Sequence, residues 1–193
     1  QSISLIYPLI FFCLFFAKDI VVILYGPQYE ASKSFLQVSL LRDFAEVIPY
    51  LSVLLAMGKS NIYFYIHSIA AIIIWGVDFV IVYQKLPVVL IALTHALIQL
   101  AIVLSSLVYI YINYKIALLN RSLIKHILII VIHLTVVLAL MLLVKHWIMQ
   151  TWNIFLTLIV LVILYYGIIM VSGKLIKIDY GTQILNRIRL IYQ

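Results

Sequence analysis

The chain has 193 residues, of which 67% are hydrophobic and only 10% are charged. A soluble domain is about half apolar and about a quarter charged, so this composition excludes an ordinary soluble domain and predicts a chain dissolved in lipid. The formal net charge is +7, but the basic residues lie mostly in the connections between apolar runs, so we expect no nucleic-acid partner.

The chain enters apolar sequence within its first residues. Residue 1 is Gln, and the basic stretch that opens a signal peptide is missing. We therefore expect a fragment that lacks the amino-terminal half of a longer protein. Cys13 is the only cysteine, so we expect neither an internal disulfide nor a cysteine metal cluster.

Six apolar runs, separated by short turn-forming segments, are each long enough to cross a bilayer. Lipid offers no partners to exposed backbone groups, so every run is predicted to be a helix. The expected fold is all-α, a six-helix transmembrane bundle over residues 1–173 with a basic amphipathic tail over residues 174–193. We name the runs spans A to F, and they cover residues 3–24, 35–57, 62–83, 88–112, 123–144 and 154–171.

Lysine and arginine are unevenly distributed between the two sides of this predicted bundle, and the richer side should be cytoplasmic. This distribution places both ends of the chain in the cytoplasm. The poorer side carries Lys33, Lys85 and Lys145. The richer side carries Lys59, Lys115, Arg121, Lys125, Lys174, Lys177, Arg187 and Arg189.

Span B carries three ionisable side chains, Arg42, Asp43 and Glu46, on one polar stripe about 120° wide. Each would cost about 2.5–3.5 kcal/mol at the centre of a membrane, so the stripe should face a water-filled cavity or a partner charge. The simpler interpretation is a local ion pair between Arg42 and Glu46, which are four residues apart on one face. That pair leaves Asp43 over, which makes the stripe a hypothesis for a functional site.

Spans C and D carry a second set of polar residues. Asp78 and His95 are each expected roughly 8–10 Å below the outer ends of these spans. Adjacent antiparallel helices can bring the two side chains together as a proton-linked pair. Gln99 and Ser106 extend the polar track on span D. The alternative is interhelical hydrogen bonding that holds the bundle together without a role in transport.

The remaining polar residues give no sign of catalysis. The sequence has no His-Glu-x-x-His, no phosphate-binding glycine loop and no Gly-x-Ser-x-Gly, so we predict neither an enzyme nor a bound cofactor. His67 and His133 stand alone in their spans, and we expect both to be satisfied within the bundle. His126 and His133 have no cysteine or carboxylate close in sequence, so a metal site is not expected.

One stretch of the sequence resembles a known family. Residues 17–32 end a helix in Tyr25-Gly26, with Tyr29 and Ala31 just beyond the turn, and span B closes on Gly58-Lys59. This two-part pattern resembles the polysaccharide flippases of the multidrug/oligosaccharidyl-lipid/polysaccharide superfamily. Beyond residue 59 the resemblance is mainly one of six-helix architecture.

The resemblance implies a bundle of about 12 to 14 helices in two lobes, with this chain as most of the second lobe. Such a protein moves lipid-linked oligosaccharide, such as an O-antigen precursor, across the bacterial inner membrane by alternating access, with H⁺ or Na⁺ as a possible coupling cation. Its partners would be the bilayer, the lipid-linked substrate and the missing amino-terminal lobe. We expect the substrate pathway to include Arg42, Asp43, Glu46, Lys18, Asp19, Asp78, His95 and Gln99.

Two other functions fit the same residues. The superfamily also contains cation-coupled drug exporters, so a small-molecule antiporter is one alternative. A membrane scaffold that does not transport, with the charges of span B all paired internally, is the other.

Overall fold

The computed structural model describes residues 2–148, 153–176, 178 and 180, and within these ranges every regular element is helical. The first half of the chain forms α1 (Ser2–Phe15), α2 (Ala17–Tyr25), a 3-10 helix (Pro27–Ser32), α3 (Lys33–Glu46) and α4 (Tyr50–Ala56). The second half forms α5 (Ser60–Tyr83), α6 (Val89–Tyr114), α7 (Arg121–Ile148) and α8 (Ile154–Leu175).

Four of the described helices, α5 to α8, are long and apolar enough to cross a membrane. They coincide with predicted spans C to F. The bent pair formed by α1 and α2 qualifies as a fifth if it is counted as one broken span. The protein is therefore all-α with four to five possible membrane crossings.

Span A was predicted as one helix over residues 3–24, and this prediction is wrong. The helix breaks at Phe16, and the parts on either side meet at an angle of 76°. Phe16 is fully buried and packs against Phe12, with ring centroids 4.7 Å apart. No Pro or Gly occupies the break. Phe16 also lies beneath Lys145 of α7, whose Nζ is 5.6 Å from the ring centroid, so a contact distant in sequence accompanies the bend.

Span B was predicted as one helix over residues 35–57, and it too is interrupted. α3 ends at Glu46, and α4 begins at Tyr50. The cause is Pro49, which has no N–H to donate and which disfavours helical geometry at Ile48. The prediction of one helix followed from the apolar length of the span and did not allow for Pro49.

The chain divides into two compact units, a first unit of residues 1–33 with 122–193 and a second unit of residues 34–121. The core of the first unit is aromatic where α1 meets α8, because Tyr165 packs on Phe12 and donates a hydrogen bond to the Pro8 carbonyl, 2.8 Å away. The core of the second unit lies between α4, α5 and α6. Its buried residues are Tyr50, Leu54, Ala70, Ile102, Val103 and Ile110.

The boundary between the bundle and its tail lies slightly later than predicted. α8 continues to Leu175, so Lys174 belongs to the helix. Ile178 and Tyr180 follow it and are buried in the first unit. Residues 181–193, which carry most of the predicted amphipathic tail, lie outside the described residues.

Candidate functional site

The charged stripe of span B forms a compact cluster on α3, which we call the α3 charge cluster (Arg42, Asp43 and Glu46). Arg42 Nε and Nη2 both donate to Asp43 Oδ1, at 3.2 Å and 3.1 Å. Arg42 Nε also lies 3.8 Å from Glu46 Oε1. The predicted Arg42–Glu46 ion pair is present, but the expectation that Asp43 is left over is wrong. Neighbouring side chains on a helix can still meet when one is as long as arginine.

The α3 charge cluster is open to its surroundings. Its side chains are 40%, 42% and 46% exposed, in the order Arg42, Asp43 and Glu46. Among the described residues of α3, none is buried. Charged groups on an exposed helix face are too costly to leave against hydrocarbon, so this face requires water or a polar partner.

Asp78 and His95 meet as predicted. His95 Nε2 lies 2.9 Å from Asp78 Oδ2, between α5 and α6. The short connection between residues 84 and 88 makes these helices antiparallel neighbours, which brings the outer turn of one against that of the other. An ionised carboxylate can only accept hydrogen bonds, so the imidazole donates through Nε2 while Asp78 is ionised.

The polar track continues one turn further along α6. Gln99 Nε2 donates to the Tyr50 hydroxyl over 3.3 Å, which joins α6 to α4. Tyr50 interacts electrostatically with Glu46. The contacts of Gln99 and Tyr50 therefore connect the interior of the second unit with the α3 charge cluster, a link that sequence spacing did not predict.

Three buried side-chain atoms of the described residues have no hydrogen-bond partner: His67 Nε2, Asp78 Oδ1 and Ser106 Oγ. All three belong to the second unit. The prediction that His67 is satisfied within the bundle is wrong for this nitrogen. Buried polar groups without partners are rare and often mark a functional site or a bound water.

Lys18 and Asp19, also predicted on the substrate pathway, lie in the first unit and point to different partners. Lys18 Nζ is 2.7 Å from Glu30 Oε1, and both side chains are about half exposed. Asp19 is buried and receives a hydrogen bond from Lys145 Nζ over 2.5 Å. Lys145 also lies over the Phe16 ring, 5.6 Å from its centroid.

Sequence reasoning missed Lys145 because its partner is 126 residues away. It lies in the last turn of α7, where a positive charge is favourable beside the helix carbonyls. The Asp19–Lys145 pair is surrounded by Ile154, Thr157 and Leu161. The pair joins α2 to α7 just after the bend at Phe16.

His133 is satisfied within its unit, as predicted. Its Nε2 lies 2.8 Å from Ser172 Oγ and its Nδ1 lies 3.2 Å from the Tyr180 hydroxyl. Ser172 Oγ donates to the carbonyl of Ile168, so His133 must donate through Nε2 and accept from Tyr180. These three hydrogen bonds join α7, α8 and the segment that follows α8. Burial raises the pKa of Tyr180 to about 12.

Comparisons with known proteins give no match: no family model, no curated protein and no solved structure is significantly similar to this chain. Classification therefore depends on the fold. Four to five apolar helices define a multi-pass membrane protein of the all-α class.

Proposed function

We propose that this chain is the carboxy-terminal part of a transporter that moves a lipid-linked oligosaccharide or polysaccharide precursor across the bacterial inner membrane by alternating access. Its helices form most of the second lobe of a larger flippase, in which substrate moves between two lobes. Both ends of the chain lie in the cytoplasm. The protein binds and moves its substrate without acting on it chemically.

The single observation that carries the proposal is the exposed α3 charge cluster in a chain that is otherwise strongly apolar. An exposed group of one guanidinium and two carboxylates needs water or a polar partner, and transporters hold such groups in the aqueous cavity between their lobes. A substrate can reach these side chains, because they are 40–46% exposed.

The chemistry of the cluster fits an anionic, hydroxyl-rich head group. Two of the five N–H groups of Arg42 are used by Asp43, and the others can bind phosphate oxygens, for which arginine geometry is well suited. Asp43 and Glu46 have oxygens that can accept hydrogen bonds from sugar hydroxyls. Lys18, at a separate place in the chain, is the second candidate for binding phosphate.

The Asp78–His95 contact supports coupling of this movement to a cation. His95 Nε2 and Asp78 Oδ2 are 2.9 Å apart, and a carboxylate and an imidazole in contact can together bind a cation. Gln99 extends this site towards Tyr50. The same pair would also serve a cation-coupled exporter of small molecules, which is the second candidate function.

The decisive experiment changes Arg42 to Gln in the full-length protein in its own host and measures surface polysaccharide together with protein abundance. We expect surface polysaccharide to fall at least tenfold at normal abundance, because the cluster loses its anion-binding group. Arg42→Lys should recover part of the export, since it keeps the charge and loses the bidentate geometry.

Arg121→Gln is the matched control, because it removes the same group from an exposed position at the start of α7. It should leave export unchanged. If Arg42→Gln lowers abundance while the remaining protein exports normally, the cluster is structural and its assignment to the substrate pathway is wrong. Normal polysaccharide together with lost resistance to toxic small molecules would favour the second candidate.

A further inference from the structure

We infer that the seam between α4, α5 and α6 is a hydrated proton-binding site, in which bound water connects the Asp78–His95 pair with His67 and Ser106. We call these residues, together with Tyr50 and Gln99, the polar seam. The claim that a proton binds here depends only on the geometry of the second unit. The further claim that this proton is the coupling ion rests on the proposed transport function.

The two long helices are paired so that, at each end of the polar seam, a residue of α5 lies opposite a residue of α6. His67 precedes Asp78 by 11 residues on α5, and Ser106 follows His95 by 11 residues on α6. Eleven residues are three helical turns to within about 20°, so they return to the same face. Because α5 and α6 are antiparallel, the Asp78–His95 contact sets a register in which His67 lies opposite Ser106.

The unpaired atoms fall at both ends of this register. Asp78 Oδ1 belongs to one end, and His67 Nε2 and Ser106 Oγ belong to the other. Ser106 is 1% exposed, so bulk solvent does not reach its hydroxyl in the described fold. Buried water binds at such polar, otherwise unsatisfied positions, typically through about three hydrogen bonds.

Gln99 and Tyr50 provide the intermediate step. Gln99 lies four residues beyond His95 and seven before Ser106, which corresponds to about 6 Å and about 10 Å along the helix axis. One or two water molecules can bridge each interval. The amide of Gln99 and the hydroxyl of Tyr50 can each donate and accept, as a hydrogen-bonded chain requires.

The polar seam has an opening to solvent at Glu46. This exposed carboxylate interacts electrostatically with both Tyr50 and His67. The titratable or charged groups that face the seam come from four helices. They are Tyr63, His67 and Asp78 of α5, His95 of α6, Tyr50 of α4, and Glu46 at the end of α3 with its partners Arg42 and Asp43. A proton can thus enter from the side of the α3 charge cluster.

The chemistry of the pair favours a proton over a metal cation. Hard cations are held by several oxygen ligands, whereas the group that contacts Asp78 is an imidazole nitrogen. When the pair takes up a proton, the imidazole becomes an imidazolium that still donates to the ionised carboxylate. The pair passes from singly negative to neutral and no other bond is broken.

Hydration is tested by hydroxyl-radical labelling of the full-length protein in lipid bilayers, with water as the radical source. Tyr50 is 5% exposed and Tyr165 is 0% exposed and hydrogen-bonded to Pro8, so the second tyrosine is an internal reference. We expect labelling of Tyr50 and His67 several-fold above that of Tyr165. Equal labelling of Tyr50 and Tyr165 would overturn the hydrated seam.

Two adjacent serines provide a matched pair of variants. Ser106→Val replaces the unpaired hydroxyl with a methyl group and should reduce labelling of Tyr50 and His67 several-fold. Ser105→Val changes an exposed serine whose hydroxyl is bonded to the Ala101 carbonyl of its own helix, and labelling should not change. Equal effects of the two variants would contradict the assignment.

Proton binding is tested by infrared difference spectroscopy of the same bilayer samples between two pH values. We expect an imidazole band and a shift of the carboxylate band that change over the same pH range. The carboxylate band should be lost in Asp78→Asn and the imidazole band in His95→Gln. Asn can still bond to His95, and circular dichroism verifies that each variant is folded. If Na⁺ displaces the proton in an Asp78-dependent manner, the site is a sodium site and the inference is wrong. A normal titration in a protein whose deletion leaves surface polysaccharide unchanged would remove the transport proposal and leave the proton site standing.

Discussion

The two units of this protein differ in whether their buried polar groups have hydrogen-bond partners. In the first unit, Asp19 is closed by Lys145, and His133 is bonded through both ring nitrogens. In the second unit, His67, Asp78 and Ser106 each retain a buried atom without a partner. The second unit also carries the exposed α3 charge cluster.

This difference separates stability from function. A buried polar network that is fully satisfied fixes one arrangement of helices, whereas one that is partly satisfied has a free-energy cost that a ligand or water can offset. The first unit thus has the properties of a scaffold. The second unit carries the residues of the proposed sites.

The largest expected effect is the loss of the Asp19–Lys145 pair. Lys145→Met leaves the buried Asp19 carboxylate without its partner, and removal of one member of a buried ion pair costs about 3–5 kcal/mol. The unfolding midpoint of the protein in detergent or in bilayers should fall accordingly. Adding Asp19→Leu should recover most of the loss, because an apolar pair carries no desolvation cost.

The contrasting pair in the second unit sharpens this prediction. Asp78→Asn keeps a hydrogen-bonding partner for His95 and removes a charge that is only partly enclosed, so its unfolding midpoint should change far less. A larger loss from Asp78→Asn than from Lys145→Met would mean that the two units do not differ as we infer.

Gly173 is expected to have the next largest effect. An added Cβ would lie 2.7 Å from Tyr180 Cε2 and 2.8 Å from the Ile178 carbonyl oxygen. Gly173→Ala should therefore displace the segment that carries Tyr180, at a cost of about 1–3 kcal/mol for overpacking. Faster proteolysis beyond α8 and greater reactivity of the Tyr180 ring would report it.

Gly167 is the control on the same helix, since a Cβ there meets nothing within 4 Å. Gly167→Ala should leave proteolysis unchanged and can stabilise the helix by up to about 1 kcal/mol. If the two alanine variants behave alike, Tyr180 does not close the first unit.

The smallest effect concerns Glu30, in the exposed 3-10 helix. The hydrogen bond from Lys18 is the main cause that holds the pKa of Glu30 below its ordinary value of 4.5. A carboxyl group whose pKa is lowered by folding stabilises the fold at pH values above its ordinary pKa. This stabilisation is lost as the pH falls through the lowered pKa. The pair is exposed, so its contribution to stability should be slight.

Lys18→Gln should raise the pKa of Glu30 towards 4.5, which NMR can follow because the chain has only two glutamates. Lys33→Gln is the control. Lys33 Nζ lies 4.0 Å from Glu30 Oε1, whereas Lys18 Nζ lies only 2.7 Å from the same oxygen. Equal shifts from the two variants would show that the Lys18 hydrogen bond is not the main cause.

Much of the fold could be predicted from the sequence, and the successes have a common cause. Spans C to F are long apolar runs, and their length alone specifies helices in lipid. The contact of Asp78 with His95 was predicted because both residues lie close to one short connection. Information within a few turns of the chain was sufficient for these features.

The failures also have a common cause. The bend at Phe16 and the pairing of Asp19 with Lys145 depend on residues that are far apart in the chain, and no local pattern encodes them. Pro49 is the exception, because its signal was present in the sequence and the apolar length of span B outweighed it. For Asp43, the reach of the arginine side chain was underestimated.

The sequence by itself determined that this is an apolar helical protein, where most of its helices lie, and which of its residues are too costly to expose to lipid. Only the tertiary structure decided which of those residues have a partner within hydrogen-bond distance and which do not. The free energy of a buried polar group depends on whether a partner stands within hydrogen-bond distance. That distance is set by packing between helices, which composition and periodicity do not contain.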